Sequence, residues 1–374
     1  MARQRIHLIL AVVFCAAGVG LRMAVRPSPE DLAEQAGIAW NDGDVGRAED
    51  LARSALGRSP GIKLARDVLI QVAAHDGRPL LEVAVLLDTN VEFGSAAHSQ
   101  FRAGEVAYAH NYAAVAERAW RQAIAADPRN GPAYDRLIGL ASVRLHHEQL
   151  MRWVRTKAKN VGVDNQTIRV MVGSEALISD AASLKKTVER YVKTDVSDES
   201  SRIGLSRCLL AIGAIPEAKT LLTPYYDSAA MRTMLALVEC RSNNSEAAEK
   251  LLPDQPVADY AAEFWHAKGL IALALDVPGN SVPAFQKAVE LRPLSREIRS
   301  DYCRALRLTD DEAENRRQSL ALDGLQQIEA MATNPFSNWD VRFVSRLSEL
   351  CEQVGADSHV LLLRDYLKRM EAER

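Results

Sequence analysis

Residues 104–130 read GEVAYAHNYAAVAERAWRQAIAADPRN, with a small residue, a second small residue and a proline at spacings of 19 and then 5. The same spacing occurs near both ends of the chain, so three triplets share it: Gly104, Ala123, Pro128; Gly269, Ala288, Pro293; and Ala36, Ala55, Pro60. Two helices approach closely only where the side chains at their crossing are small, and a proline ends a helix. The spacing therefore predicts repeated pairs of packed helices.

The pattern resembles the tetratricopeptide repeat (TPR), a 34-residue helix-turn-helix unit. Three segments match it: 29–62, 97–130 and 262–295. Their small residues and closing prolines are Ala36, Ala48, Ala55 and Pro60; Gly104, Ala116, Ala123 and Pro128; and Gly269, Ser281, Ala288 and Pro293. Larger residues one turn before the second alanine, Trp120 and Phe285, are expected to fill the space beside the crossing.

The register of the repeat extends beyond these copies. Ala48 and Ala116 are 68 residues apart, and Ala116 and Ala218 are 102 apart, which are two and three units of 34. Degenerate units are therefore expected in between, although Leu150 and Lys157 replace small residues in one of them. The predicted fold is all-α: a TPR-like α-solenoid of stacked antiparallel helical hairpins, preceded by an N-terminal apolar segment.

The same register divides the chain into predicted segments. After Ala218 the second helices recur about 30 residues apart and not 34, which indicates a shortened repeat and the place where a bend is expected. A polar C-terminal end predicts a solvated last helix that caps the array. The segments are 1–26, signal anchor or signal peptide; 27–222, N-terminal part of the array; 223–262, irregular repeat; 262–329, one TPR unit and following helices; and 330–374, capping hairpin.

The N-terminus carries an uncharged, mostly apolar run from Ile6 to Leu21 between arginines. This run is typical of a single-pass membrane anchor or a cleaved signal peptide, and we favour the anchor. A lipoprotein signal fits less well because Phe14 precedes Cys15. The leading alternatives both predict an extracytoplasmic (periplasmic) body, either membrane-tethered or secreted after cleavage.

Composition and motifs give little sign of chemistry. The net charge of −3 with no basic run excludes a nucleic-acid footprint, and no nucleotide, hydrolase or metalloprotease motif occurs, so no enzyme activity, cofactor, metal or small-molecule substrate is expected. Four cysteines are interpreted as buried free thiols, with their pairing as disulfides left open: Cys208, Cys240, Cys303 and Cys351. The most metal-like cluster is His146-His147-Glu148, but neighbouring helical residues diverge by about 100°. It is interpreted as a polar inter-helix turn, and an enzyme with its site in 131–198 stays a weaker alternative.

The resemblance implies that the first helix of each unit lines a concave face that binds an extended peptide or a partner helix. The groove positions carried over from the family are Glu30, Ala33, Gly37, Trp40, His98, Phe101, Glu105, Tyr108, Glu263, His266, Leu270 and Leu273. Those expected to bind the partner are Trp40, Phe101, Glu105, Tyr108, His266 and Leu270. Such a mixed aromatic, aliphatic and acidic surface suits a hydrophobic or basic segment. The expected function is a membrane-tethered protein-interaction scaffold for an envelope complex. The alternative is a chaperone-like accessory factor for secretion or folding at the membrane.

Overall fold

The computed structural model describes residues 27–88, 96–176, 180–225, 227–334 and 339–372, and these residues form α-helices and short 3₁₀ turns without any β-strand. The all-α prediction is confirmed for them. The predicted anchor or signal segment, 1–26, lies outside them. Among the described helices, none is both long and apolar enough to cross a bilayer. Two compact units follow one another along the chain, with unit 1 ending at Ala107 and unit 2 starting at Tyr108.

Unit 1 is built on alanine crossings between short helices. Its helices are α1 (Pro29–Asn41), α2 (Val45–Arg58), α3 (Lys63–His75), α4 (Pro79–Leu87) and most of α5 (Ala96–Ala109). Ser28 begins α1 with a capping box in which its hydroxyl accepts from the Asp31 backbone N–H and its own N–H donates to the Asp31 carboxylate. Ala36, Ala48 and Ala55 are fully buried, so α1 and α2 pack closely along these positions.

Unit 2 continues as a series of helical hairpins. Its helices are α6 (Ala113–Ala126), α7 (Gly131–Val143), α8 (His147–Asn160), α9 (Asn165–Ala176), α10 (Ala181–Thr194), α11 (Glu199–Ala211), α12 (Ile215–Leu222), α13 (Ala229–Arg241), α14 (Ser245–Leu251), α15 (Ala261–Ala274), α16 (Pro278–Leu291), α17 (Arg296–Leu308), α18 (Glu312–Thr333), α19 (Val341–Gln353) and α20 (Asp357–Ala372). The pairs α11/α12, α13/α14, α15/α16 and α17/α18 each pack together. Helices α12 and α14 have only 8 and 7 residues, where the sequence register slips.

The crossing of α15 and α16 shows why a glycine stands at one of the repeat positions. A Cβ atom built on Gly269 would lie 2.7 Å from the Cε1 atom of Phe285, whose side chain is fully buried. Ala288 is also fully buried, one turn after Phe285. The aromatic ring therefore occupies the space that the missing side chain leaves.

We expect Gly269→Ala to lower the free energy of unfolding by about 1–3 kcal/mol, because the added methyl overpacks the Phe285 ring. The matched control is Gly139→Ala on α7, where an added Cβ meets no atom within 4 Å. That change is expected to be neutral or to stabilise by a few tenths of a kcal/mol, since alanine favours helix more than glycine. Urea denaturation of both variants checks the pair, and equal midpoints would contradict the close crossing.

The hydrophobic core of unit 2 joins helices that are distant in sequence. Helix α9 packs against α18 and α20, and one core cluster contains residues from both regions: Tyr134, Ile168, Leu325, Leu347, Leu350 and Leu363. In a simple repeat array each unit contacts only its neighbours. Helix α20 buries Val360 and Leu363 against this core, whereas Leu361 on its other face is 70% exposed. The capping role of this last helix stays a prediction.

The degenerate unit 131–164 replaces a small residue with an ion pair. Lys157 is 2% exposed, and its ammonium lies 2.5 Å from the Asp135 carboxylate, 2.6 Å from that of Asp164 and 2.7 Å from the Thr167 hydroxyl. The three oxygens satisfy the buried charge where close packing through an alanine was expected. These contacts hold α8 against the neighbouring elements at a position where the repeat usually has a small residue.

Candidate functional site

A cavity of about 280 Å³ in unit 2 is lined by the first helices of four consecutive hairpins, α11, α13, α15 and α17. We call it the arginine pocket. The wall residues used below are Arg207, Met234, Leu237, Glu263, His266, Arg292 and Ile298. Arg207 comes from α11, and Arg292 follows the end of α16 directly. The pocket thus combines apolar walls with a few convergent charged groups, as ligand sites do.

Two guanidinium groups share one carboxylate oxygen in this pocket. Arg207 donates through Nε and Nη2 to Oε1 of Glu263 at 3.0 and 2.5 Å, while Nη1 of Arg292 lies 3.7 Å from the same atom. Burial by itself raises the pKa of Glu263, but the positive charges of the two arginines lower it further, so that the pKa lies below its ordinary value. The Oε2 atom of Glu263 is buried and has no hydrogen-bond partner among the described residues. A ligand N–H could therefore be accepted there.

A second carboxyl group, Glu148 on α8, lies buried near Glu263. Burial, reinforced by repulsion from Glu263, raises the pKa of Glu148 to about 8. Within the described part of the chain neither of its oxygens has a hydrogen-bond donor. The protonated form of Glu148 is therefore favoured at neutral pH.

His146 lies in the turn between α7 and α8, as the sequence interpretation has it, whereas His147 and Glu148 belong to the first turn of α8, and both histidines are buried. The His146 Nδ1 atom accepts from the Gln149 backbone N–H at 3.4 Å, so His146 begins α8, and the His147 ring stacks on His359 with centroids 5.8 Å apart. Burial lowers the pKa of His147 to about 3. No group of three His, Cys, Asp or Glu side chains in the described ranges could hold a metal ion.

A larger cavity of about 610 Å³ adjoins the arginine pocket. We call it the acidic pocket, and both cavities are lined by Ala211 and Glu297. Its apolar wall includes Leu294, Leu322, Leu325 and Ile328, and its charged residues are Arg296, Glu297, Asp323 and Glu329. Arg296 pairs with Glu329 at 2.8 Å, and Arg241 bonds Glu297 from outside the cavity. We call the two pockets together the groove.

Two predicted binding residues of unit 2 lie in different surroundings. His266 lines the arginine pocket but is 2% exposed, with Nε2 at 2.9 Å from the Asp301 carboxylate. Leu270 lies one turn further along α15 and lines a separate cavity beside Cys240 and Arg241. Of this pair, only His266 is therefore in position to touch a ligand of the groove.

Tyr108 is a half-buried member of an aromatic cluster in unit 2. Its ring lies 5.4 Å from Trp120 and 5.9 Å from Tyr191, and its hydroxyl accepts from the Tyr191 hydroxyl at 3.0 Å. These contacts hold the ring in place. Tyr108 does not line either pocket of the groove.

The remaining predicted binding residues belong to unit 1. Trp40 is half-buried near the end of α1, and its ring meets His75 edge to face with centroids 5.9 Å apart. Phe101 and Glu105 are half-buried one turn apart on α5. Their role in binding stays a prediction.

The four described cysteines are free thiols. Cys208, Cys303 and Cys351 are buried, and Cys240 is half-buried. Burial raises the pKa of Cys208 to about 11 and that of Cys351 to about 12, so these thiols are protonated and unreactive at neutral pH. They act as small apolar side chains of the core.

Several groove residues were not singled out from the sequence, although the repeat register contains them. Arg207 and Leu237 stand at the ninth position of the units that start at 199 and 229, where the clear unit 262–295 has Leu270. Glu297 stands at the second position of the next unit, as Glu263 does in its own. Extending the register through the degenerate units would have found them. Arg292, next to a repeat proline, carries no such signal.

Comparison with known proteins gives the following similarities. No protein-family model matches the sequence, and no curated protein matches it. A solved TPR protein from Parabacteroides merdae is 12% identical with a TM-score of 0.31, covering 74% of this chain and 98% of that one. A chain of the APC/C Cut9–Hcn1 hetero-tetramer is 11% identical with a TM-score of 0.35, and the match covers 97% of this chain and 94% of that one. The C-terminal part of a TPR-containing protein from Cytophaga hutchinsonii is 10% identical with a TM-score of 0.28, and the match covers 72% of this chain and 98% of that one.

Proposed function

We propose that the chain is a protein-interaction scaffold that binds a segment of a partner protein in the groove of unit 2. The observation that carries this proposal is the shared wall of the arginine pocket, to which the first helices of four consecutive hairpins contribute. Repeat proteins present such successive helices as an extended binding surface. A segment of polypeptide, which offers apolar side chains and N–H donors together, matches the pocket's apolar walls and the buried Glu263 oxygen.

The test fills the groove with a bulky side chain. Ser300 is exposed on α17 and lines the acidic pocket, so Ser300→Trp is expected to block binding without disturbing the core. The matched control is Ser319→Trp, an exposed serine on α18 that does not line the groove. Affinity capture with the full chain should recover a partner with the native protein and the control, and at least about tenfold less with Ser300→Trp. Equal recovery with both variants would contradict the proposal.

The finer proposal is that residues 1–26 tether this scaffold to a membrane with its body on the extracytoplasmic side. It is supported by the apolar run from Ile6 to Leu21 and the arginines around it. We expect the full chain to sediment with membranes and to resist extraction by carbonate. Recovery of the chain in the cytoplasmic fraction would contradict the tether and leave the binding function untouched.

The chaperone-like alternative differs in the number of its clients. A scaffold for an assembly holds one partner in fixed proportion, whereas a chaperone-like factor contacts many unfolded chains briefly. Crosslinking of the full-length protein in its native membrane separates the two. One stoichiometric partner supports the scaffold, and a broad set of clients with no dominant member supports the alternative.

A further inference from the structure

We propose that the arginine pocket is an anchor site for a tryptophan side chain of the partner segment. The indole ring fills the pocket, and its N–H group donates to the unpartnered Oε2 atom of Glu263. This inference rests on the proposed binding function and adds the residue by which the partner is recognised.

The pocket has a buried acceptor that lacks a donor. Glu263 lines the pocket and is 3% exposed. Its two oxygens differ, because Oε1 accepts both bonds from Arg207, whereas Oε2 has no hydrogen-bond partner among the described residues. A buried polar atom without a partner costs free energy, so a ligand donor that reaches Oε2 removes this cost on binding.

The ligand donor is expected to be uncharged. Arg207 and Arg292 line the pocket, and so do Glu263 and Glu297. A carboxylate of the ligand would therefore approach two glutamates, and an ammonium group would approach two arginines. Either ligand charge would also have to leave water. An uncharged N–H or O–H group meets no like charge, whichever of these four residues pair with one another.

The rest of the pocket wall favours a large apolar side chain. Met234 and Leu237 of α13 and Ile298 of α17 line the pocket with buried apolar side chains. Its volume of about 280 Å³ suits one large side chain better than a drug-sized molecule. Because Oε2 of Glu263 is buried, the ring must displace part of the wall to reach it. The unbranched side chain of Met234 adapts readily to such a change.

Among large side chains with an uncharged donor, tryptophan matches the pocket best. Its indole carries one donor and no acceptor, so Oε2 of Glu263 satisfies it completely. A tyrosine hydroxyl or an amide side chain also carries an acceptor that needs a donor. The three nitrogens of Arg207 already donate, two to Glu263 and one to the Arg144 carbonyl. Tryptophan is also enriched among the residues that anchor protein interfaces.

The test is a selection from random peptides of about twelve residues, displayed on phage, against the full chain. Binders lost on Ser300→Trp are taken as groove ligands, and we expect them to share a tryptophan. A synthetic peptide of this kind is then compared with one that carries 3-benzothienylalanine in its place. This residue has a ring of nearly the same size in which sulfur replaces the N–H group. We expect it to bind about tenfold more weakly.

A pair of variants places the ring in the pocket. Leu237→Ala removes a wall residue, and Leu235→Ala is the control on the same helix, equally buried but not lining the pocket. Both changes create a cavity in the core, so their costs in folding are comparable. Leu237→Ala should weaken the tryptophan peptide about tenfold and Leu235→Ala should not, with folding checked by circular dichroism.

The peptide comparison needs no change in the protein and therefore gives a result even if Leu237→Ala does not fold. Groove ligands without a shared tryptophan, or equal binding of the two peptides, would overturn this inference alone. Unchanged affinity of folded Leu237→Ala would overturn it as well. Peptides that bind Ser300→Trp as well as the native chain would contradict the proposed function and the inference together.

Discussion

Arg144→Ala is expected to lower the free energy of unfolding of unit 2 by about 3–5 kcal/mol, because it leaves two carboxylates without their buried partner. The side chain of Arg144 is 0% exposed. Its guanidinium donates to Glu117 at 2.6 Å, to Asp198 at 2.8 Å and to the Ser201 hydroxyl at 3.0 Å. These bonds join α6, the turn after α7 and the start of α11.

The backbone around Arg144 is packed as closely as its side chain. A Cβ atom on Gly204 of α11 would lie 3.0 Å from the Arg144 Cα atom, so the helix passes directly over this residue. Because the backbones are already in contact, α11 cannot move closer to fill the space that the guanidinium leaves. Asp198, which also caps α11 through the Ser201 backbone N–H, would lose the cation that balances it.

The control for Arg144→Ala is Arg346→Ala, which breaks an exposed ion pair. Arg346 lies 3.0 Å from Glu349 on the surface of α19. Exposed pairs contribute about 0–1 kcal/mol, so this variant should unfold close to the native midpoint. Urea denaturation followed by circular dichroism measures both. Similar losses for the two variants would show that the Arg144 network does not stabilise unit 2 as described.

Glu148→Gln is expected to stabilise the protein at alkaline pH by on the order of a few kcal/mol and to flatten its pH dependence. The pKa of Glu148 is raised in the folded protein to about 8 by burial, against an ordinary value of 4.5. The folded state thus holds a proton that the unfolded state releases. Its stabilising contribution is fully present below pH 4.5 and is lost as the pH rises towards 8. Glutamine keeps the shape of the neutral acid and has no proton to lose.

The measurement is the difference in unfolding free energy between pH 6.5 and pH 8.5 for each variant. The folded pKa of His147 is lowered to about 3, so its effect on stability falls mainly below this window and is the same in all the variants. The native chain should lose about 2 kcal/mol more than Glu148→Gln across the window. The control is Glu249→Gln, an exposed glutamate on α14, which should follow the native chain. Parallel curves for all three proteins would mean that Glu148 is ionised in the fold at neutral pH.

The helices and their close crossings follow from local features of the sequence. Small residues permit close approach, and residues such as Phe285 fill the space that Gly269 leaves. Prolines and N-cap residues set the helix ends, as Ser28 and Pro29 do for α1. These signals act within one repeat, and therefore a single sequence is enough to predict them.

The packing of the C-terminal helices of unit 2 against α9 could not be predicted in the same way. The contacts of α9 with α18 and α20 join residues about 150–200 positions apart through apolar side chains that look like those of any buried helix face. The buried charges are equally hidden, because Lys157 and Arg144 read as solvent-exposed residues until their partners are known. Adjacent motif residues such as His147 and Glu148 meet groups from distant helices, which no spacing along the chain reveals.

The groove itself was only partly predictable. The repeat register marks Glu263 and His266, and its extension through the degenerate units would mark Arg207 and Leu237. Which charged residues of the two pockets pair with one another depends on contacts between helices that are distant in sequence. That information comes from the folded structure alone.

The most direct test of the account is site-specific photo-crosslinking from two positions of the same helix. Leu322 of α18 lines the acidic pocket, whereas Leu320 is 66% exposed and lies outside the groove. A photoreactive phenylalanine at each position is introduced into the full chain in its native cell. We predict a covalent adduct with a partner protein from position 322, reduced by Ser300→Trp, and none from position 320. An adduct from position 320 alone, or one unaffected by Ser300→Trp, would contradict it.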